Sequence, residues 1–345
     1  MSAVQTVVIG PEEGDQRLDR WLRRRFPGLG QGAIEKMCRR GELRLDGGRV
    51  KASDRVQAGQ SLRIPPLPET PPAAPAPVRQ SVAEADAAMI QSAVLWKDAH
   101  VIALNKPPGL PSQGGSGLGS RHVDGLSPAL CFGYKERPVL VHRLDKDTSG
   151  ILLLARTERV ARRLGEAFRA RTARKIYWAV VAGVPEPRMG TIRYGLVKAG
   201  GRGDERMRCV LPGEVQATPG AKRATTDYAV LEAMGKRAAW MALVPVTGRT
   251  HQLRAHMAEI GHPIVGDGKY GRAGQENAGD GWGRDLGGEL SRKLHLHARS
   301  IAFAHPVTGE TVTLTAPLPE HMRRTFAAFD WRAQDVPADP FAEAP

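Results

Sequence analysis

HRLDKDTSGILLLA, residues 142–155, is the stretch whose reading decides the fold. Its second half, Ile151-Leu152-Leu153-Leu154-Ala155, is a short apolar run, the pattern of a buried strand. The first half sets two carboxylates, Asp145 and Asp147, and the cations Arg143 and Lys146 among hydroxyl residues at the mouth of that strand. Charges there are costly to desolvate unless paired. A carboxylate held near an arginine stays ionised at neutral pH. Two readings fit equally: a reactive loop, or a salt-bridge cluster closing a turn.

Outward from this run, candidate strands lie at 101–104, 177–182, 225–232, 240–246 and 299–304. Helices are predicted near 157–170 and 250–260. Strands interspersed with few helices predict an α+β domain over 93–330 with a mixed, mostly antiparallel sheet. Residues 331–345 read as a C-terminal tail. Residues 65–92 read as a linker, because PPLPETPPAAPAPV at 65–78 is mostly Pro and Ala and favours a semi-rigid extended chain. Two Gly-rich stretches, 198–223 and 271–289, read as mobile, the first as an RNA-facing hairpin or a disordered loop.

Ahead of the linker, residues 15–64 form a small α-rich unit. Leu18, Trp21 and Leu22 share one face of a helix over 17–25, and Ile34, Met37 and Cys38 share one face of a helix over 31–40. Gly41 stops the second helix. A hairpin with a Gly-rich turn follows at 43–50, and Val56, Leu62 and Ile64 suggest one more strand. These fifty residues carry 13 Lys and Arg against 6 Asp and Glu, half of the chain's +14 excess. Such a concentration points to nucleic acid. Arg17, Arg20, Arg24, Lys36, Arg39, Arg40, Arg44, Arg49 and Lys51 are the candidate RNA contacts. A membrane surface fits less well, since no long amphipathic helix accompanies the charge.

Several chemistries lack their residues. Gly114–Gly119 has neither dinucleotide-fingerprint spacing nor a following Lys-Ser or Lys-Thr. The His-Arg-Leu-Asp order has an extra Leu for a kinase loop and no downstream Asp-Phe-Gly. Zinc-deaminase and His-Glu-x-x-His patterns are absent. Cys38, Cys131 and Cys209 are far apart and odd in number, which supports no disulfide framework and suits a reducing cytosol. His251 and His256 are five apart on a helix and face different ways; His295 and His297 share a strand face without a third ligand. No metal or cofactor is expected. The N-terminal residues do not have the make-up of a signal peptide, no stretch approaches a membrane span, and a cytoplasmic monomer is expected.

Two further stretches carry candidate chemistry. In TGRTHQLRAHMAEIGH, 247–262, a strand runs through a turn into a helix with Leu253, Met257 and Ile260 on its buried face. Arg254 lies next to that face, where a guanidinium needs a carboxylate. Arg249 and Thr250 stand at the helix start, where free N–H groups favour phosphate. In RKIYWA, 174–179, Tyr177 stands beside two cations, which suits a stacked base next to phosphates; a strand tyrosine equally suits a core.

HRLDKDTSG, RKIYWAVV, TGRTHQLRAHMAEIGHPIVGDGKYG and LHLHARSIAFAHPVTGETVTLTAPLP together resemble, in that order, the motifs of the RluA-type pseudouridine synthases, over roughly 93–322. RLDRWLRRRF and MCRRGELRLDGGRV resemble an S4 RNA-binding domain, with Leu45-Asp46-Gly47-Gly48 in place of the usual Val-Asn-Gly. The resemblance implies isomerisation of uridine in RNA, without metal or cofactor. Asp145 rather than Asp147 then matches the essential carboxylate, which attacks the ribose or removes a ribose proton. Arg254 matches the residue paired with it, and Tyr177 the ring packed on the target base. Arg143 matches a residue that fills the space left by the extruded base. Asp147, Thr148, Ser149 and His142 take structural roles. NKPPG at 105–109 resembles the family's first catalytic-domain motif, which places Lys106 against backbone phosphate. An S4 domain followed by a linker implies large-subunit ribosomal RNA, bound alone or in an assembling subunit. A transfer-RNA or dual-specificity enzyme, and a non-catalytic assembly factor, are the alternatives.

Overall fold

A computed structural model describes residues 4–67, 82–114, 119–199, 205–271 and 290–342. The chain divides into two compact units, Met1–Ser81 and Val82–Pro345.

The first unit contains β1 (Gln5–Val8), β2 (Gln16–Arg17), α1 (Leu18–Arg25), α2 (Gln31–Arg40), β3 (Arg44–Leu45), β4 (Gly48–Arg49), β5 (Arg55–Val56) and β6 (Ser61–Ile64). Leu18, Trp21, Leu22, Ile34 and Met37 are buried together with Leu43, Leu62 and Ile64. Gly41 ends α2 in the left-handed conformation, φ 68°. Asp46 and Gly47 turn the β3–β4 hairpin with φ of 49° and 79°, the geometry that lets two residues join twisted strands. The unit starts earlier than residue 15: β1 pairs antiparallel with β6, covering an edge that the sequence pattern did not reveal.

The second unit contains α3 (Glu84–Ser92), β7 (Val94–Lys97), β8 (Val101–Lys106), α4 (Val123–Leu126), β9 (Val139–Leu140), β10 (Ser149–Ala155), α5 (Glu158–Ala170), β11 (Arg174–Ala182), β12 (Met189–Lys198), β13 (Met207–Val210), β14 (Lys222–Met234), β15 (Ala238–Pro245), α6 (Gln252–Glu259), β16 (Leu296–Ala304), β17 (Thr311–Thr315) and α7 (Glu320–Ala328). Its sheet runs β13-β12-β14-β15-β11-β16-β10-β8-β7, with β17 on β16 and β9 on β10. The β10–β16 pair is parallel and the other pairs are antiparallel. This is the expected α+β fold with a mixed, mostly antiparallel sheet.

Every residue of β10 is buried, which accounts for its unbroken apolar run. Gly150, its second residue, has φ 106°, and a Cβ there would lie 2.3 Å from the Ala298 carbonyl oxygen. Only glycine lets β10 and β16 close at the base of the 142–149 loop.

Two expectations need correction, and a third is narrowed. Residues 84–92 are helix α3, with Ile90 buried against Leu126 and Leu130, so the linker cannot reach residue 92. Residues 331–342 are not a loose tail: Trp331 is buried with Trp240 and Phe326, and Asp339 makes a two-pronged ion pair with Arg174. Within 198–223, Met207–Val210 pairs antiparallel with β12, which agrees with a hairpin and not with a disordered loop there. Residues 200–204 and 272–289, and 68–81 of the linker, lie outside the described residues.

His256, His295 and His297 are fully buried. His297 shares a hydrogen bond with Ser149 (2.9 Å), His295 with Thr325 (2.8 Å) and His256 with Thr226 (2.9 Å). Burial pushes His295 and His297 down to about 3 and His256 down to about 4. The folded chain therefore binds fewer protons than the unfolded chain, whose histidines titrate near 6.5. Their contribution is complete above about pH 6.5 and is lost as pH falls toward 3, by about 2 kcal/mol for each ring at pH 5. Urea midpoints should drop steeply between pH 7 and pH 5. Equal midpoints would contradict neutral buried rings.

Candidate active site

The loop between β9 and β10 is held from several sides. Ser112 Oγ donates to the Leu144 carbonyl (2.7 Å) and accepts the Leu144 N–H (3.0 Å). The Thr148 N–H returns to the Asp145 carbonyl (3.2 Å), closing a turn. Thr148 and Ser149 are buried, while Asp147 faces solvent. His142 Nε2 accepts the Leu153 N–H (3.1 Å), and its ring stacks on Phe168 at 4.8 Å.

Lys106 does not face a nucleic acid. Its side chain is fully buried, and Nζ donates to the carbonyls of Pro107 (2.9 Å), Leu110 (2.8 Å) and Lys146 (3.0 Å). Burial pushes this amine down to about 7, against the pull of Asp147 and Asp145. Three carbonyls satisfy all three of its donors. Lys106 thus fastens the 107–110 turn to the Asp145 loop and is not a phosphate contact.

Across the sheet, β15 delivers the turn 247–251 into α6. Gln252 anchors that turn: its Oε1 accepts from Thr247 Oγ1 (2.6 Å) and the Arg249 N–H (3.1 Å). Its Nε2 donates to the Thr225 carbonyl (2.8 Å). The Arg249 N–H is therefore occupied, contrary to the expectation of free donors at the helix start. The Arg249 side chain is exposed and donates to the Arg223 carbonyl. His251 caps α6 at φ 52°, a left-handed conformation costly for a non-glycine residue and common where function constrains the backbone.

That conformation turns the His251 ring toward Asp145. His251 Nε2 and Arg254 Nη1 each lie 3.8 Å from Asp145 Oδ2. Nδ1 of His251 shares a hydrogen bond with the Tyr270 hydroxyl (3.0 Å). Burial pushes His251 below its usual range although Asp145 pulls the other way. The strong partner of Arg254 is Asp267, through two hydrogen bonds of 2.7 Å from Nε and Nη2. Burial opposes the Arg254 charge, but Asp267 sustains it. Asp267 has no exposed side-chain surface, whereas 19% of the Asp145 side chain is open. Arg254 is thus fixed from behind and offers its remaining nitrogen to an accessible carboxylate.

Asp145, Arg143, Tyr177, Arg249, Thr250 and Arg254 line one cleft of about 880 Å³. Tyr177 is half-buried in its wall, and burial, with the Asp145 charge, holds its phenol protonated. Arg143 is exposed, 3.4 Å from Thr250 Oγ1. Burial pushes Tyr270 up to about 12, and its ring lies 5.2 Å from the Arg254 guanidinium. His251, Asp267 and Tyr270 were not singled out as site residues. Asp267 and Tyr270 sit in GDGKYG, and the need of Arg254 for a carboxylate was the signal for Asp267. His251 was weighed only as a metal ligand.

The nine basic candidates lie in the first unit. Arg20, Arg24, Lys36, Arg39, Arg40, Arg49 and Lys51 are exposed. Arg17 is committed to the buried Asp19 by two hydrogen bonds (3.1 and 2.7 Å), and Arg44 to the carbonyls of Gly41 and Gly47.

Residues 100–259 match the family model described as RNA pseudouridylate synthase. The chain is 35% identical over 330 residues to ribosomal large subunit pseudouridine synthase C of Escherichia coli (strain K12), covering 93% of this chain and 95% of the relative. Its counterpart from Vibrio cholerae serotype O1 is 32% identical over 326 residues, with the same coverage. Among solved structures, human RNA pseudouridylate synthase domain containing 4 superimposes with a TM-score of 0.58 at 30% identity. That match covers 71% of this chain and 95% of the human one.

Proposed function

The chain belongs to the RNA pseudouridylate synthase family and is a pseudouridine synthase, and from that premise we propose that it isomerises uridines of large-subunit ribosomal RNA in the cytoplasm, as a monomer, with Asp145 as its catalytic carboxylate. The observation that carries this reading is the meeting of Asp145, Tyr177 and Arg254 in one cleft, in a chain similar over 93% of its length to ribosomal large subunit synthases.

The reaction breaks the N1–C1′ bond of a uridine, turns the base and joins C5 to C1′; the C5 proton leaves and N1 takes up a proton. Asp145 acts on the ribose, as nucleophile or as base for a ribose proton. Both roles use its anion, and the Arg254 guanidinium 3.8 Å away orients that anion. Tyr177 packs on the target base. The reacting atoms are inaccessible in a stacked helix, so the nucleotide is extruded into the cleft, and Arg143 at the rim fills the space it leaves. Residues 15–64 act as an S4-type module that grips a second RNA element through the exposed cations of α1 and α2. The Pro-rich linker tethers the module, raising the effective concentration of the catalytic unit at its target.

Tritium release from 5-tritiated uridine tests the substrate. Large-subunit ribosomal transcripts should release tritium, and transfer-RNA transcripts should not; release from transfer RNA alone would contradict the assignment. Joint replacement of Lys36, Arg39 and Arg40 by Ala should weaken binding and flatten its salt dependence. Unchanged affinity would remove the module from substrate recognition.

A further inference from the structure

Beside the catalytic trio, the cleft continues along β11 toward the C-terminal end of α5. Among the described residues, Asp145 is the one carboxylate that lines it, against seven lysines and arginines. That imbalance suits a polyanion rather than a single neutral base. At about 880 Å³ the cleft also has the volume of a large ligand pocket.

Two adjacent cations of this wall have different surroundings. The Arg174 guanidinium is neutralised by Asp339 through bonds of 3.0 and 2.9 Å. Lys175 is half-buried, and its Nζ sits 4.9 Å from the centre of the Phe168 ring. The Lys175 charge also reaches His142, which is kept uncharged by burial first and by that charge second. Among the described residues, no hydrogen bond or ion pair reaches Lys175 Nζ. Burial pushes this ammonium below its usual range. A desolvated cation without an anion is costly unless a ligand supplies the charge. Exposed Arg169 and Arg171 flank the same wall.

We propose that Lys175, whose ammonium lies over the Phe168 ring two residues before Tyr177, binds a backbone phosphate of a nucleotide next to the one held at Asp145. The inference rests on the cleft being an RNA site, as proposed above. The phosphate would replace the missing counter-ion, and the Phe168 ring would cover one side of the ammonium. Tyr177 and Lys175 then hold a base and a neighbouring phosphate from a single strand, fixing the direction in which RNA enters.

The test uses full-length protein, a large-subunit ribosomal RNA transcript containing a converted uridine, and the variants Lys175→Met and Lys175→Arg. Lys175→Met should raise Kd and KM about fivefold to tenfold at moderate salt, with kcat falling less than KM rises. The slope of log Kd against log salt should fall by about 0.7, one phosphate's worth; Lys175→Arg should restore most of it. Methylphosphonate substitution of single linkages should weaken wild-type binding at one linkage beside the target and leave Lys175→Met indifferent at that linkage alone. An unchanged salt slope, or equal sensitivity of both proteins at every linkage, would overturn the proposal. Failure of the wild type to convert the transcript would refute the ribosomal assignment instead, and the binding comparison would still decide the role of Lys175.

Discussion

Asp145→Asn should abolish pseudouridine formation, lowering the single-turnover rate by at least about 10⁴-fold, in the range seen when a covalent or basic centre is removed. The amide keeps the shape of the side chain and loses its charge. Arg254 retains both 2.7 Å bonds to Asp267, so no buried cation is stranded. The Asp145 turn retains its support from Ser112 and Lys106. Melting temperature and RNA affinity should therefore stay close to those of the wild type, and the loss should fall on chemistry. Residual activity within tenfold of the wild type would refute Asp145 as the reacting group.

Asp267→Ala should be the most damaging substitution for stability near the cleft. It strands the Arg254 guanidinium, whose side chain is 5% exposed, and removes the acceptor for the N–H groups of Lys269 (2.9 Å) and Tyr270 (3.1 Å). Removing one partner of a buried ion pair costs about 3–5 kcal/mol, a large share of the 5–15 kcal/mol that holds a typical domain folded. Arg254 would also be free to close directly on Asp145, so turnover by the folded fraction should fall about 100-fold through lost positioning. Urea denaturation and single-turnover assays on the same preparation check both effects. Near wild-type stability would mean that Arg254 is supported in some other way.

Legibility in the sequence followed burial. The apolar run 151–155 was readable because β10 is covered on both faces. The amphipathic spacing of α1, α2 and α5 was readable because each presents one face to a core. Strands β12 and β13 have mixed exposure, and glycines and single charged residues interrupt their apolar positions. Their strand character comes from pairing with β14 and with each other, which local pattern does not encode. Helix α3 was hidden by its Pro- and Ala-rich neighbourhood. The role of Trp331 required knowing that α7 packs near Trp240.

At the site, sequence motifs singled out Asp145, Tyr177 and Arg254, which share one cleft, but not how charge is arranged behind them. Arg254 was known to need a carboxylate; that it has two, one deeply buried and one open, is a property of the folded loops. The NKPPG motif suggests a phosphate contact for Lys106, but it does not reveal that three carbonyls converge on its ammonium. The left-handed backbone of His251 left no trace in composition, and it sets that ring beside Asp145.

The most direct test of the central claim is pseudouridine mapping of total RNA from cells with and without this protein, rescued by either the wild type or Asp145→Asn. The account predicts that defined sites in large-subunit ribosomal RNA are lost, restored by the wild type and not restored by the variant. Full restoration by Asp145→Asn, or no lost site, would contradict it.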